Sequence, residues 1–157
     1  MIVLGNAKNF NKIEREIFEY GCQIAREIMV KAITTLDDHL AKERDKKIYR
    51  DKGKRKTSIK TLMGEVEFSR RVYKYESETG LKEYVYLLDR ALELNKVGLF
   101  SGNLVQLIAE AASNGSFRKA ADSISNTTGQ GISHGGVWNI IQGVGKKIDT
   151  EEQRQAK

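Results

Sequence analysis

The residues able to do covalent or metal chemistry are few and widely separated along the chain. His39 and His134 stand far apart, Cys22 is the only cysteine, and no glycine-rich loop ending in Gly-Lys could hold nucleotide phosphates. Asp37 and Asp38 are adjacent, so on a helix their carboxylates point to different sides. The sequence therefore predicts no catalytic residues, no metal, no cofactor, no small-molecule substrate and no enzymatic activity for these 157 residues alone.

Positive charge is concentrated in one stretch, which is the strongest functional signal. The chain carries a net charge of +6, whereas residues 44–74 alone carry 12 basic and 4 acidic side chains, a net of +8. A local field of this sign attracts polyanions, and the alternative is a solvated surface that keeps the protein soluble. The density of charge favours nucleic acid, and the side chains predicted to contact DNA are Arg50, Lys52, Lys54, Arg55, Lys56, Lys60, Arg70 and Arg71.

The last third of the chain has the pattern of a helix-turn-helix unit. Three apolar-periodic segments begin after Ser101, Ser116 and Ser133, and serine is a favoured residue just before a helix. The third helix of such a unit enters the major groove, where amides can pair with adenine. Trp138 adjoins the apolar side and is expected to pack. The predicted DNA contacts of this unit are Arg118, Lys119, Ser133, His134, Asn139, Gln142 and Lys146.

Two further segments precede this unit, and they differ in their hydrophobic period. A stripe at three- and four-residue steps predicts one long helix over residues 11–47, with Asn11 as its N-cap and Glu14 completing a capping box. Residues 57–63, 65–75 and 84–88 predict three strands of an antiparallel meander. Its tyrosines, Tyr73, Tyr75, Tyr84 and Tyr86, could stack on bases, although half-buried cross-strand pairs are favoured.

These segments predict an α+β fold: a long N-terminal helix, a small antiparallel three-stranded meander and a C-terminal three-helix helix-turn-helix unit. The expected boundaries are 1–50 for the amphipathic helix, 51–98 for the basic meander, 99–149 for the helix-turn-helix unit and 150–157 for a frayed tail. No run of 18 apolar residues and no signal peptide are present, so we expect a soluble, cytoplasmic protein without a membrane partner, associated with the nucleoid.

Several blocks together resemble the N-terminal part of bacterial insertion-sequence transposases of the ISLre-two type. They are RDKKIYRDKGKRKTSIKTLMGEV (44–66), RRVY (70–73), YVYLLD (84–89), SFRKAA (116–121) and ISHGGVWNIIQ (132–142), within a resemblance covering residues 13–147. The resemblance implies a role in handling transposon ends. It also implies a downstream DDE-type core, the only part for which Mg²⁺ is expected, and this chain stops before it. Gly135 and Gly136 stand where the resemblance implies a polar or β-branched pair, and they remove two possible base contacts.

The predicted function is therefore binding of double-stranded DNA as the N-terminal portion of a transposase truncated before its catalytic core, without strand transfer of its own. The alternative is an interaction module that dimerises through the first helix and does not bind DNA. A homodimer through that helix is compatible with either reading.

Overall fold

The computed structural model describes residues 9–76, 80, 82–94, 100–129 and 131–155, with side chains as far as residue 146. The α+β prediction is confirmed. In chain order the elements are α1 (Phe10–Glu43), β1 (Tyr49–Thr61), β2 (Gly64–Glu76), β3 (Lys82–Val85), α2 (Leu87–Ala91), α3 (Gly102–Ser113), α4 (Phe117–Thr128) and α5 (His134–Gln155). They form two compact units: Met1–Ser58 with Met63–Leu92, and Ile59–Leu62 with Glu93–Lys157.

Helix α1 starts and ends earlier than the sequence predicts. Asn9, not Asn11, is the N-cap: its backbone is extended and its side chain accepts a hydrogen bond from the Asn11 N–H. Glu14 is therefore too far from the cap to complete a capping box. At the other end the helix stops at Glu43, because Asp45 forms a side-chain turn by accepting from the Lys47 N–H at 2.8 Å.

The densest part of the basic stretch lies within strand β1 and is therefore part of the sheet. Strand β1 begins at Tyr49, eight residues before the predicted start at residue 57, and runs through the dense cations. A two-residue connection leads directly into β2, and the strand order is β1-β2-β3. Tyr49 stacks on Tyr75 of β2 with ring centroids 5.4 Å apart, so the early part of β1 is held to its neighbour by side chains as well as by the backbone.

The predicted third strand is half strand and half helix. β3 covers Lys82–Val85 and pairs antiparallel with β2, with Tyr73 opposite Val85 and Tyr75 opposite Glu83. The chain then turns into α2, which places Leu88 fully in the core of the first unit. The prediction of a strand over residues 84–88 was therefore wrong at its end. The apolar run alone could not distinguish a buried strand from a buried helical turn.

Helix α1 and helix α2 both pack on β2. Arg26 of α1 donates a hydrogen bond to the Met63 carbonyl at the β1–β2 turn, and Asp37 accepts two hydrogen bonds from Arg71 of β2. Neighbouring residues of a strand point to opposite faces, yet Val72 and Tyr73 are both buried. This part of β2 is thus covered on both sides. Arg71, expected on the solvent side, faces α1.

The second unit is a three-helix bundle capped as the sequence predicts. The hydroxyls of Ser101, Ser116 and Ser133 each accept a backbone N–H from three residues further on, at 3.0 to 3.3 Å. Helix α4 ends at Gly129, which adopts a left-handed conformation with φ of 66°. The backbone of α5 remains helical to Gln155, beyond the expected end at residue 149. The core of the second unit consists of Leu104, Ile108, Ala120, Ala121, Ile124, Val137 and Ile140.

Among the described residues, none of the helices combines the length and apolar character needed to cross a bilayer.

Candidate nucleic-acid interface

The first half of β1 presents an exposed row of cations, which we call the cationic strand (residues 50–56). Every residue of this stretch is exposed. Arg50, Lys52, Arg55 and Lys56 form no ion pair with any side chain in the described parts of the chain. Because these four cations have no carboxylate partner among the described residues, their charge is available to an external anion.

Gly53 breaks the simple alternation of the cationic strand. Its φ is 88°, a conformation that favours glycine, and its N–H donates to the Asp51 carboxylate at 2.7 Å. Asp51 and Lys54, three residues apart, consequently both contact the ion-pair network that joins the end of α1 to β2. Asp51 lies 3.7 Å from Arg71 Nε, and Lys54 Nζ lies 3.8 Å from the Asp38 carboxylate.

Arg71 holds the first unit together through three carboxylates. Its Nη1 lies 2.7 Å from Asp37 and 2.7 Å from Asp38, while its own backbone N–H donates to Asp37 at 3.1 Å. The hydrogen bond from Arg71 lowers the pKa of Asp38 below its ordinary value. Burial acts to lower the pKa of Arg71, but the bond to Asp38 and the nearby negative charges outweigh it and raise that pKa. A phosphate would have to break this network to reach Arg71.

Arg70 also has internal partners, on the opposite face of β2. It forms an ion pair with Asp89 of α2 and lies over the Tyr86 ring, 4.0 Å from the centroid. Both members of the ion pair are largely buried, and burial lowers the pKa of Arg70. Arg70 and Arg71 therefore bind carboxylates within the fold, and we leave both out of the proposed DNA-contacting set.

Lys60 belongs to the second unit, whereas the cationic strand belongs to the first. It is half-buried, its Nζ lies 5.8 Å from the centre of the Phe100 ring, and its carbonyl accepts from the Ser101 N–H at 2.8 Å. These contacts fix the start of α3 against the end of β1, so the residue has a structural role beside any role toward phosphate.

The tyrosines mostly pack inside the first unit. Tyr75 forms the cross-strand stack with Tyr49, Tyr86 lies under Arg70, and Tyr73 is completely buried. Burial raises the pKa of Tyr73, and the negative charge of Asp37 adds to this effect. Tyr75 thus forms the half-buried cross-strand pair that the sequence favours, whereas Tyr73 is buried completely and Tyr86 packs under Arg70 beyond the end of β3. Tyr84 differs, since 70% of it is exposed.

One face of α5 displays polar groups around an exposed indole. Trp138, expected to pack, is 49% exposed, while its neighbour Val137 carries the packing. Asn139, Gln142 and Lys146 are exposed on the same side, because steps of three and four residues return to one helix face. His134 is exposed at the start of the helix, and the Ser133 hydroxyl accepts the Gly136 N–H as the cap.

The predicted phosphate contacts on α4 stand at its N-terminus. Arg118 and Lys119 are both exposed, and the Lys119 backbone N–H is already used by the cap at Ser116. Their side chains lie in the first turn, where the helix dipole also favours an anion. The second unit thus exposes Ser133, His134, Asn139 and Gln142 on α5 and Arg118 and Lys119 on α4.

Sequence reasoning missed the internal partners of the cations. Asp37 and Asp38 look like a solvated helix face in the sequence, and Asp89 directly follows a predicted strand; only their position against β2 shows that all three bind arginine. Within the described ranges, no group of three or more His, Cys, Asp and Glu residues is arranged to hold a metal ion.

Comparison with known proteins places this fold in a family. A protein in the vanSb 3' region of Streptococcus gallolyticus, itself assigned to UPF0236, is 23% identical over 150 residues, which cover 96% of this chain. The chain spans 32% of the length of that relative. No solved structure matches. The family model described as Uncharacterised protein family (UPF0236) matches residues 3–157, and the chain therefore belongs to this family.

Proposed function

We propose that the chain binds double-stranded DNA, with the cationic strand supplying most of the affinity. The observation that carries this proposal is the set of four exposed cations, Arg50, Lys52, Arg55 and Lys56, that lack carboxylate partners in the described residues. Neighbouring cations that have such partners, Arg70 and Arg71, are turned inward. Unpaired exposed cations release counterions when they meet phosphates, and this release drives binding without reading sequence.

The exposed face of α5 is suited to the more selective part of the interaction. Asn139 and Gln142 present amides that can pair with adenine edges, and Trp138 offers an apolar surface for a thymine methyl group. Gly135 contributes no side chain to this face. We therefore expect modest sequence preference, made by a small number of side chains.

Within this proposal the chain acts as the DNA-binding N-terminal portion of an insertion-sequence transposase of the ISLre-two type. The sequence blocks that resemble such transposases support this assignment. The chain's span of 32% of its relative is compatible with catalysis residing elsewhere in longer members. We expect no strand cleavage by this chain with Mg²⁺ in a nicking assay, and association with the nucleoid follows from DNA binding.

The proposal is tested by salt-dependent binding of a fluorescent duplex, with a charge-matched control. The four contacts of the cationic strand contribute about −3.6 to the slope of log K against log salt, at about −0.9 per contact. The variant Lys52→Gln/Arg55→Gln/Lys56→Gln should make the slope less steep by about 2.7. The control Arg15→Gln/Lys31→Gln/Lys42→Gln removes the same charge from exposed positions of α1 and should leave the slope near that of the wild type.

A slope near zero, or equal losses in both triple variants, would contradict the role of the cationic strand. Base readout is tested separately with Asn139→Ala, which should weaken binding to some sequences and not others. Trp138 is the only tryptophan, so its fluorescence should change when a duplex covers α5. Unchanged emission from a DNA-bound protein would remove α5 from the interface.

A further inference from the structure

Helix α1 carries a row of large apolar side chains that stay exposed in the described part of the chain. Phe10, Ile17, Tyr20, Ile24 and Ile28 are each between 37% and 75% exposed. At about 100° per residue, all five fall within a sector about 80° wide, and they extend over about 27 Å. We call this set the apolar row. An exposed hydrophobic strip of this length normally marks a surface that binds another macromolecule.

The apolar row lies on the side of α1 that faces away from the sheet. Arg26 and Asp37 mark the side that contacts β2, through Met63 and Arg71. Counting about 100° per residue, the centre of the row is about 150° round the helix from those two residues. The fold of the first unit therefore uses one face of α1 and leaves the opposite apolar face free.

Gly21, beside this row, has no explanation within the chain's own fold. Its φ is not positive, and a Cβ added there would meet no atom within 4 Å. Glycine in the interior of a helix disfavours the helix relative to alanine. A glycine on an exposed helix surface does, however, allow a second backbone to approach closely. Gly21 and the apolar row are thus independent observations that point to one docked helix.

We propose that the helix docked here is α1 of a second copy of this chain, crossing near Gly21. Phe10, Ile17 and Ile24 are spaced by seven residues, with Ile13 and Tyr20 between them, which is the seam pattern of a paired helix. One such seam is complementary to itself under two-fold symmetry. The inference does not depend on the DNA-binding proposal.

The charges beside the row permit self-association. Residues 9–28 contain three basic side chains (Lys12, Arg15 and Arg26) and four acidic ones (Glu14, Glu16, Glu19 and Glu27), a net charge of −1. Two copies therefore meet without the strong like-charge repulsion that a highly charged helix would impose. A partner protein of opposite charge, in contrast, would find no charged patch beside the row to recognise.

Sedimentation of the full chain over about 1 to 200 µM tests the proposal directly, because the fraction of dimer depends on concentration by mass action. The wild type should shift from monomer to dimer as concentration rises. Ile24→Glu should weaken the dimer at least tenfold, and because Ile24 is exposed the helical circular dichroism should stay unchanged. Gln23→Glu adds the same charge at the preceding residue, about 100° round the helix; it loses the exposed hydrogen bond to Glu27 but should dimerise nearly as the wild type does.

Gly21→Leu separates contact between copies from simple helix propensity. Leucine favours the helix, so the monomer should melt at a higher temperature, while the larger side chain should weaken the dimer at least tenfold. A wild type that stays monomeric throughout the range would overturn the proposal. A Gly21→Leu dimer as strong as the wild type, or an Ile24→Glu variant that dimerises normally, would overturn it as well.

Discussion

Arg71 and Asp37 make different contributions to the stability of the first unit, and two substitutions should reveal the difference. Asp37 is 1% exposed, and both of its described partners come from Arg71: the backbone N–H and Nη1. Arg71, by contrast, also contacts Asp38 and Asp51. Arg71→Met would strand a buried carboxylate with a single N–H donor. Asp37→Asn keeps an acceptor for that N–H and leaves the guanidinium with two other carboxylates.

The expected magnitudes follow from what each change leaves unpaired. Removing one partner of a buried ion pair costs about 3–5 kcal/mol, so we expect about 4 kcal/mol for Arg71→Met. Losing one charge-assisted hydrogen bond costs about 1.5–3 kcal/mol, so we expect about 2 kcal/mol for Asp37→Asn. At about 1.4 kcal/mol per tenfold, the opening equilibrium of the unit should rise about a thousandfold for Arg71→Met and about thirtyfold for Asp37→Asn.

Native-state hydrogen exchange of the β2 amides measures these changes in the first unit alone. The protection of Val72 and Tyr73 should fall more in Arg71→Met than in Asp37→Asn, while the amides of α3 and α4 serve as an internal control. Equal effects, or a loss below about 1 kcal/mol for Arg71→Met, would contradict the proposed network. If that variant also kept its stability but lost DNA affinity, Arg71 would be a phosphate contact after all.

Two further predictions concern the same unit. The hydrogen bond from Arg71 holds the pKa of Asp38 below 3.8, so its stabilisation is present above that value and is lost as the pH falls through the folded-state pKa. Asp38→Asn should therefore lower the melting temperature at about pH 7 and not at about pH 2, and an equal drop at both would contradict the ion pair. Gly64→Ala should destabilise more than Gly53→Ala, as measured by urea unfolding. Both glycines have positive φ, but only at Gly64 would the new Cβ meet Arg26 Nη1, at 2.7 Å. Because that side chain can move, the added cost is the hydrogen bond that it donates to the Met63 carbonyl, and equal losses would exclude a role for that contact.

The local features of the fold could be predicted from the sequence. Serine before each helix of the second unit needs only a hydrogen bond within three residues, and the caps at Ser101, Ser116 and Ser133 form as predicted. The period of two at the start of β2 likewise places Val66 and Phe68 in the core. Such signals depend on neighbours along the chain, so the sequence contains all the information they require.

The features that depend on tertiary partners could not be predicted. The long helix was expected to bury a single stripe, yet four-residue steps drift by about 40° each, so Ile17 and Leu40 lie on different faces. Ile17 is exposed, while the later part of α1 packs on β2. Trp138 was expected to pack beside Val137, but a shift of one residue on a helix is enough to turn a side chain outward.

The separation of paired from unpaired cations changes what the charge of residues 44–74 means for binding. Counting every predicted contact of this region, eight side chains, gives a salt slope of about −7, whereas the four unpaired members of the cationic strand give about −3.6. Lys54 lies between these groups, because its contact with Asp38 is exposed and a phosphate could replace it. A contribution near −7 from this region would require DNA to draw Arg70 and Arg71 out of their ion pairs. A contribution near −4 would mean that Arg70 and Arg71 keep the ion pairs that hold α2 and α1 to β2, and that a duplex meets mainly the unpaired cations of the cationic strand.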